Sequence, residues 1–319
     1  MSPDTADRRT SLLVWGALSI VYVVWGSTYL GIMITIETIP PLSSGAMRFS
    51  VAALLLAAAV LLIRGRAAFR MTWREFCGAA LVGLLLLTAG NGMVAVAEQH
   101  ISSGLAALLV ASVPLWLVVF RIVTRDRPRV LTLTGVLVGF GGVAALSLSG
   151  GSGAGTTAGI VTILLASLSW SVGSFLSSRI PMPADPFAAS AVEMVAGAAG
   201  LAATATVIGE RLDLAAVSGR SWAALVYLVL IGSLVGFTSY VWLLGNAPIS
   251  LVSTYAYVNP VVAVVLGALI LSEPVTGSMV AAGLVIVVGV ALVVSTERRR
   301  RAVPEEEREP AVAEAAGSA

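Results

Sequence analysis

Residues 131–180 read LTLTGVLVGFGGVAALSLSGGSGAGTTAGIVTILLASLSWSVGSFLSSRI. Two apolar runs, 131–149 and 158–180, flank the short polar segment GGSGAGTT at 150–157. An α-helix needs ~20 residues to cross a hydrocarbon core of ~30 Å, and each run has this length. Since that core holds no water to satisfy backbone amides, such runs form helices, whereas a barrel would show shorter alternating segments. The stretch therefore predicts two membrane-spanning helices joined by a flexible linker.

The rest of the chain repeats this apolar pattern. Its 319 residues are 58% hydrophobic and 11% charged, and the mean hydropathy is +0.96. These values lie far outside the composition of a soluble domain and leave no room for a sizeable aqueous one. We therefore predict an all-α membrane protein with ten transmembrane helices. The apolar runs fall at roughly 12–36, 42–63, 76–97, 103–123, 131–149, 158–180, 187–208, 222–244, 250–271 and 276–295.

Landmark residues of the first half recur in the second half at a nearly fixed distance. The pattern indicates a duplicated five-helix unit. Because five is odd, the second unit is upside down, which predicts two inverted repeats around an axis in the membrane plane. Equivalent residues lie 145 to 147 positions apart, as in the pairs Trp25 and Trp170, Gly90 and Gly236, Pro114 and Pro260, and Asp126 and Glu273.

These repeats divide the chain into five parts. The first repeat covers 12–149 and the second covers 158–295, with the linker 150–157 between them. Before them we place a cytoplasmic N-terminus at 1–11, and after them a disordered cytoplasmic tail at 296–319, which is rich in charge.

Arginine placement predicts the orientation of the helices. All 19 basic residues are arginine, which excludes lysine Schiff-base chemistry and a complete phosphate-binding P-loop. The fifteen arginines within 8–9, 64–74, 121–129, 179 and 298–301 fall on one side of a ten-span arrangement, and only Arg211 and Arg220 flank the spans on the other. Because cytoplasmic connections are enriched in basic residues, both termini are predicted to be cytoplasmic, in a multi-pass protein of the cell membrane.

Three segments resemble the EamA family of the drug/metabolite transporter superfamily. They are VVWGSTYLG at 23–31, IPPLSSGAMRF at 39–49 and STYAYVNPVVAVVLGALILSEPVT at 253–276. The resemblance implies a ten-helix exporter of small metabolites that is powered secondarily, and it does not specify the cargo. The family's first half often carries a Glu where its fourth and fifth helices join. This chain has Asp126 between two arginines there, so a role shared by Asp126 and Glu273 does not follow.

Polar and aromatic residues inside the predicted spans are candidates for binding a substrate. Trp25 and Trp170 lie at equivalent positions past the middle of the first helix of each repeat, where they could line a cavity or belong to an interfacial aromatic belt. Asn91 and Tyr240 could line the cavity or form interhelical hydrogen bonds, and the sequence favours neither role over the other. The full set of predicted substrate-binding residues is Trp25, Asn91, Trp170, Tyr240, Tyr255, Tyr257 and Asn259.

Four further residues are candidates for gating or coupling. Arg48 could attract an anionic group of the substrate, or it could snorkel or pair with backbone carbonyls. Glu193 could be a titrating group that couples proton movement to transport, or it could form a packing hydrogen bond. Pro114 and Pro260 are predicted to interrupt equivalent helices and to leave unpaired carbonyls at mid-membrane. Glu98, by contrast, is read as the edge of a loop close to water.

The sequence favours one function over two alternatives. We expect a secondary transporter, an exporter of amino-acid-like or drug-like metabolites that works by alternating access. An intramembrane enzyme would need paired catalytic groups, but the chain has one His and no HExxH motif, so no catalytic residue, metal or cofactor is predicted. A channel would need rings of charged or carbonyl groups. The expected partners are a small-molecule substrate, the lipid bilayer and a coupling proton, without nucleic acid, for a monomer or weak homodimer.

Overall fold

The computed structural model describes residues 3–125, 128–149, 156–247, 252 and 254–301. The linker at 150–155, Asp126 and the tail beyond 301 lie outside these residues. In the first half, the helices are α1 (Pro3–Thr35), α2 (Pro41–Arg64), α3 (Trp73–Ala97), α4 (Ser103–Val123) and α5 (Val130–Ser149).

The second half has a matching set of five helices. They are α6 (Thr157–Ser177), α7 (Pro186–Val207), α8 (the consecutive segments Gly219–Tyr227, Leu228–Val235 and Gly236–Asn246), α9 (Tyr255–Ile270) and α10 (Gly277–Arg301). Over the described residues, nine helices are long and apolar enough to cross a membrane, and α9 is a shorter apolar tenth. The predicted all-α membrane fold is confirmed, and the described residues contain no β-strand.

The packing between the two halves has the symmetry of an inverted repeat. Helix α1 packs on α8 and α9, while its counterpart α6 packs on α3 and α4. Likewise, α2 packs on α8, and α7 packs on α3. The remaining principal pairs, α2 with α7, α4 with α9 and α5 with α10, each join two equivalent helices. Exchanging the halves therefore leaves this set of contacts unchanged, as a pseudo-two-fold axis requires.

The α2 and α7 pair is joined at both ends by a charged side chain. At one end, the Glu210 carboxylate accepts hydrogen bonds from the backbone amides of Leu42 (3.0 Å) and Ser43 (2.9 Å) in the first turn of α2. At the other end, Arg64 forms an ion pair of 2.5 Å with Asp185, which caps α7. Carboxylates are favourable at helix N-termini because the free amides and the helix dipole attract negative charge there.

The α5 and α10 pair is held by direct contact of the two backbones. A Cβ atom built on Gly289 would overlap the backbone of Gly139, and one built on Gly135 would lie 2.9 Å from the Gly289 carbonyl oxygen. Only glycine permits this approach, which is the usual role of small residues between membrane helices. The helix faces that point away from the core are apolar, as at Leu137 of α5 and Leu269 of α9, which are 75% and 76% exposed. Lipid would cover them.

The two prolines do not affect their helices equally. In α4, the helix stops at Val110 and resumes at Val113, with Pro114 in the first turn of the second segment. In α9, Pro260 lies inside a continuous helix, so the predicted interruption at this residue is absent. Pro260 is the sixth residue of α9. Its ring nitrogen cannot donate to the Ala256 carbonyl four residues earlier, yet the helix continues through this point.

Candidate functional site

A cavity of about 180 Å³ lies between the two halves of the molecule. Helices α1, α2, α3 and α4 of the first half and α6 and α9 of the second half form its wall. Apolar residues of α4, among them Ala107, Val110 and Ala111, line one side. The polar and aromatic part of the wall consists of Trp25, Thr28, Tyr29, Arg48, Asn91, Trp170, Tyr255 and Asn259.

Two tryptophans enter this site through reciprocal contacts between the halves. Trp170 of α6 packs on Gly90 of α3, where a Cβ atom would lie 3.1 Å from the Trp170 ring. Trp25 of α1 packs on Gly236 of α8, where a Cβ atom would lie 2.7 Å from the Trp25 indole nitrogen. These glycines and tryptophans are the equivalent residues of the two repeats. Each tryptophan thus rests on the glycine of the opposite half.

The glycines lie at matching irregularities of their helices. In α3, the eight residues Leu84–Asn91 are π-helical and include Gly90. In α8, the eight residues Leu228–Val235 are π-helical and end directly before Gly236. π-Helical turns are rare and occur frequently at functional sites, because the wider turn redirects side chains. Here one of them positions Asn91 in the cavity wall.

Arg48 is the charged residue of the cavity wall. It is only 6% exposed, and its Nε atom donates a hydrogen bond of 2.9 Å to the Ser233 hydroxyl in the π-helix of α8. Its Nη1 atom is buried and has no hydrogen-bond partner among the described residues. The nearest side chains of the wall therefore leave part of this guanidinium unsatisfied.

An aromatic cluster adjoins one end of the cavity. The Trp25 ring lies 5.0 Å from the Tyr240 ring and 5.2 Å from the Tyr255 ring, measured between centroids. The two tyrosine rings are 5.8 Å apart and perpendicular. The Asn259 amide lies beside this cluster, and its nitrogen donates to the Tyr255 and Tyr22 carbonyls when the amide is oriented to satisfy its surroundings.

Two carboxylates lie near the opposite end, at the junction of α3, α4 and α9. The Glu273 carboxylate accepts hydrogen bonds from the Ser103 amide (2.8 Å), the Ser103 hydroxyl (3.0 Å) and the Gly104 amide (3.2 Å). Glu273 thereby caps the N-terminus of α4. Glu98 directly follows α3 and is 2% exposed, and neither of its carboxylate oxygens has a partner in the described part of the chain. Burial, and then the nearby Glu273 carboxylate, raise the pKa of Glu98 well above its usual range.

The interpretation of Glu98 as a loop edge close to water was therefore wrong. Glu98 lies one turn beyond Val94, a buried residue that lines the cavity. The helical periodicity of the sequence could have placed Glu98 on the same buried face. The same signal would have identified Tyr29, which lies one turn after Trp25 and was missed.

The structure brings most of the predicted site residues together. Eight of the eleven line the cavity: Trp25, Arg48, Asn91, Pro114, Trp170, Tyr255, Asn259 and Pro260. The other three lie elsewhere. Tyr240 packs behind Trp25 and Tyr255, and Tyr257 packs against the large apolar core. Glu193 lies on α7, where its backbone contacts Gly83 of α3, and it is not among the residues of the cavity wall.

Comparison with known proteins identifies similar sequences along nearly the whole chain. The sequence model of the EamA-like transporter family matches twice, at residues 13–148 and 157–295. The uncharacterized inner membrane transporter YedA of Escherichia coli K12 is 42% identical over 261 residues, which cover 81% of this chain and 83% of YedA.

Two more distant similarities also cover most of the chain. A probable terminal-alkyne amino-acid exporter of Streptantibioticus cattleyicolor is 26% identical over 83% of this chain and 87% of its own length. A protein of known crystal structure shares 25% identity, with a TM-score of 0.60 over 93% of this chain and 99% of that one.

Proposed function

The chain belongs to the EamA-like transporter family, and we propose that it exports small metabolites across the cell membrane by alternating access. The cargo is amino-acid-like or drug-like. Relatives named as an inner membrane transporter and as a probable amino-acid exporter support this proposal. The protein is placed in the plasma membrane with both termini in the cytoplasm, as the distribution of arginines favours.

The observation that carries the proposal is the cavity between the two inverted halves. In transporters with inverted repeats, substrates bind near the middle of the membrane at the interface of the repeats. This cavity lies between the two halves, and its wall combines the Trp25 and Trp170 rings with the Asn91 and Asn259 amides. Rings provide area for contact, and a few convergent polar groups provide orientation, which is the usual composition of a small-molecule site.

The two ends of the cavity provide candidate closures for alternating access. The cluster of Trp25, Tyr240 and Tyr255 would close the cytoplasmic end under the predicted topology. The junction at which Glu273 caps α4 would close the other end. Rocking of one half against the other would open one closure while it keeps the second one shut.

A proton gradient is the proposed source of energy. Glu193 was the carboxylate that the sequence favoured for coupling, and Glu98 is a second candidate because it is buried without a hydrogen-bond partner among the described residues. Transport that persists in energised inside-out vesicles after collapse of both the proton and sodium gradients would exclude coupling to either ion.

The experiment that tests the proposed function is an export screen. Cells with and without the protein are loaded with amino acids, related metabolites and toxic compounds, and efflux is measured. We expect at least one compound to leave faster in cells that contain the protein, and Trp170→Ala and Asn259→Ala to abolish the difference. Efflux that neither variant changes would contradict the assignment of the cavity. Chemical alteration of the compound would favour an enzyme, and flux without saturation or counterflow would favour a channel.

A further inference from the structure

Arg48 is a cation inside the membrane that has no anionic partner among the described residues, and its guanidinium lies 4.9 Å from the centroid of the Phe49 ring. Its helix, α2, is apolar and crosses the membrane. Among the described residues, no carboxylate forms an ion pair with Arg48, and its hydrogen bond goes to the neutral hydroxyl of Ser233. An arginine side chain keeps its charge under physiological conditions. A buried charge without an ionic partner costs free energy, and a bound anion would reduce this cost.

The guanidinium is also held in position. The bond from Nε to Ser233 fixes one edge of the planar group, and Nη1 remains without a partner in the described part of the chain. Arginine presents several donors in one plane, which suits the two oxygens of a carboxylate. Gly232 of α8 packs closely against this edge of the group, since a Cβ atom there would lie 3.4 Å from Nη2 and 3.2 Å from Thr28 Cγ2. Arg48 is one of the residues that line the cavity, so a ligand would reach the guanidinium from the cavity side.

The size of the cavity restricts the cargo further. Sites for drug-sized ligands usually measure about 300–1,000 Å³. The cavity that Arg48 lines measures about 180 Å³. Of the two proposed classes of cargo, this volume favours small molecules of amino-acid size.

We propose that Arg48 binds the carboxylate of a small organic acid or amino acid carried in this cavity. This inference rests on the proposed transport function and adds the chemical class of the cargo. Two amides of the wall, Asn91 and Asn259 on opposite halves, would contact the rest of the molecule. Ser233 is a positioning residue because it holds the guanidinium and does not line the cavity.

The test compares each acid with its uncharged amide. The protein is reconstituted into liposomes, and counterflow of radiolabelled L-amino acids is measured in competition with the same amino acid or its amide, such as L-valine against L-valinamide. For a transported amino acid, we expect the amide to compete at least about tenfold less well in the wild-type protein, since a charge-assisted hydrogen bond is lost. In Arg48→Gln the difference between acid and amide should disappear, and Ser233→Ala should reduce it.

Arg220→Gln is the matched control, because Arg220 lies outside this cavity and pairs with Glu37 at 3.5 Å. It should keep the preference for the acid. Equal competition by acid and amide in the wild-type protein would overturn the inference while transport itself persists, as would a preference that survives in Arg48→Gln. If Arg48→Gln does not fold, equal competition in the wild-type protein, or an unchanged preference in Ser233→Ala, would still overturn the inference. Failure to transport any compound of the export screen would instead overturn the proposed function.

Discussion

Single residues set the chemistry at both ends of the cavity, and Glu98 is the one that sequence reasoning placed wrongly. Its neighbours in the chain include polar residues, so it looked like part of an exposed connection. It is buried, and the carboxylate of Glu273, 175 positions later in the chain, lies close to it. Helical periodicity could have placed Glu98 on the buried face, but the proximity of Glu273 could not be read from the local sequence. The sequence left the role of Arg48 undecided, because its partner Ser233 lies in the other half of the chain.

Glu98 makes a prediction about the pH dependence of stability. The free carboxyl group titrates near 4.5, and the folded protein raises this pKa. Above that pH the unfolded state releases the proton while the folded state retains it, so this group lowers stability as the pH rises. Glu98→Gln cannot ionise. We expect the melting temperature of this variant in detergent to fall less than that of the wild type between about pH 5 and about pH 8.

Glu37→Gln serves as the control for this measurement, because Glu37 is partly exposed and pairs with Arg220. Its melting temperature should follow the wild-type pH dependence. A Glu98→Gln protein with the same pH dependence as the wild type would contradict the burial of an unpartnered carboxyl group.

The helices follow the sequence closely, with two exceptions. The run predicted at 42–63 is the helix Pro41–Arg64, and the run predicted at 187–208 is Pro186–Val207. The π-helical segments of α3 and α8 were not predicted, since the apolar residues around Leu84 fit a wide or an ordinary turn equally well. The sequence predicted a helix break at each proline. The break near Pro114 in α4 is present, whereas α9 is not broken at Pro260. In α9 the helix continues through Pro260, although this residue cannot donate to the carbonyl four residues earlier.

The pairing of α5 with α10 can be tested with two glycines that differ only in their surroundings. In Gly289→Ala, the new methyl group would overlap the Gly139 backbone, so we expect a loss of about 1–3 kcal/mol in the free energy of unfolding. In Gly141→Ala, the methyl group meets no atom of the described chain within 4 Å, and alanine favours a helix by ~1 kcal/mol over glycine.

Thermal denaturation of the purified variants in detergent is the measurement. The melting temperature of Gly289→Ala should fall by several degrees, and that of Gly141→Ala should stay the same or rise. If Gly289→Ala melted at or above Gly141→Ala, the two helix backbones would not be in contact.

The molecule as a whole is one five-helix unit used twice, and this much could be read from the sequence. The repeated landmarks predicted inverted halves, and the exchange symmetry of the helix contacts agrees with them. The reason for the landmarks could not be read in advance. Trp25 recurs as Trp170 and Gly236 recurs as Gly90 because each ring packs on the glycine of the other half. The members of the cavity wall were only partly predictable, since their convergence depends on six helices at once.

The orientation of the molecule is a separate prediction. We expect green fluorescent protein fused after the last residue to fluoresce, because it folds in the cytoplasm. Alkaline phosphatase at the same position should be inactive, and after residue 212, in the connection between α7 and α8, it should be active. The reverse pattern would contradict the cytoplasmic placement of the C-terminus, which rests on the arginine distribution.

Access to the cavity from both sides of the membrane tests the central claim most directly. Cys77 is the single cysteine and is exposed, so Cys77→Ser gives a cysteine-free background. In that background, Ala107→Cys places a thiol on the cavity wall, and Ala79→Cys places one at a fully buried position of α3 as a control. A membrane-impermeant thiol reagent is applied to right-side-out and to inside-out vesicles. Alternating access predicts that Ala107→Cys is labelled from both sides and Ala79→Cys from neither, whereas labelling of Ala107→Cys from one side only, or from neither, would contradict it.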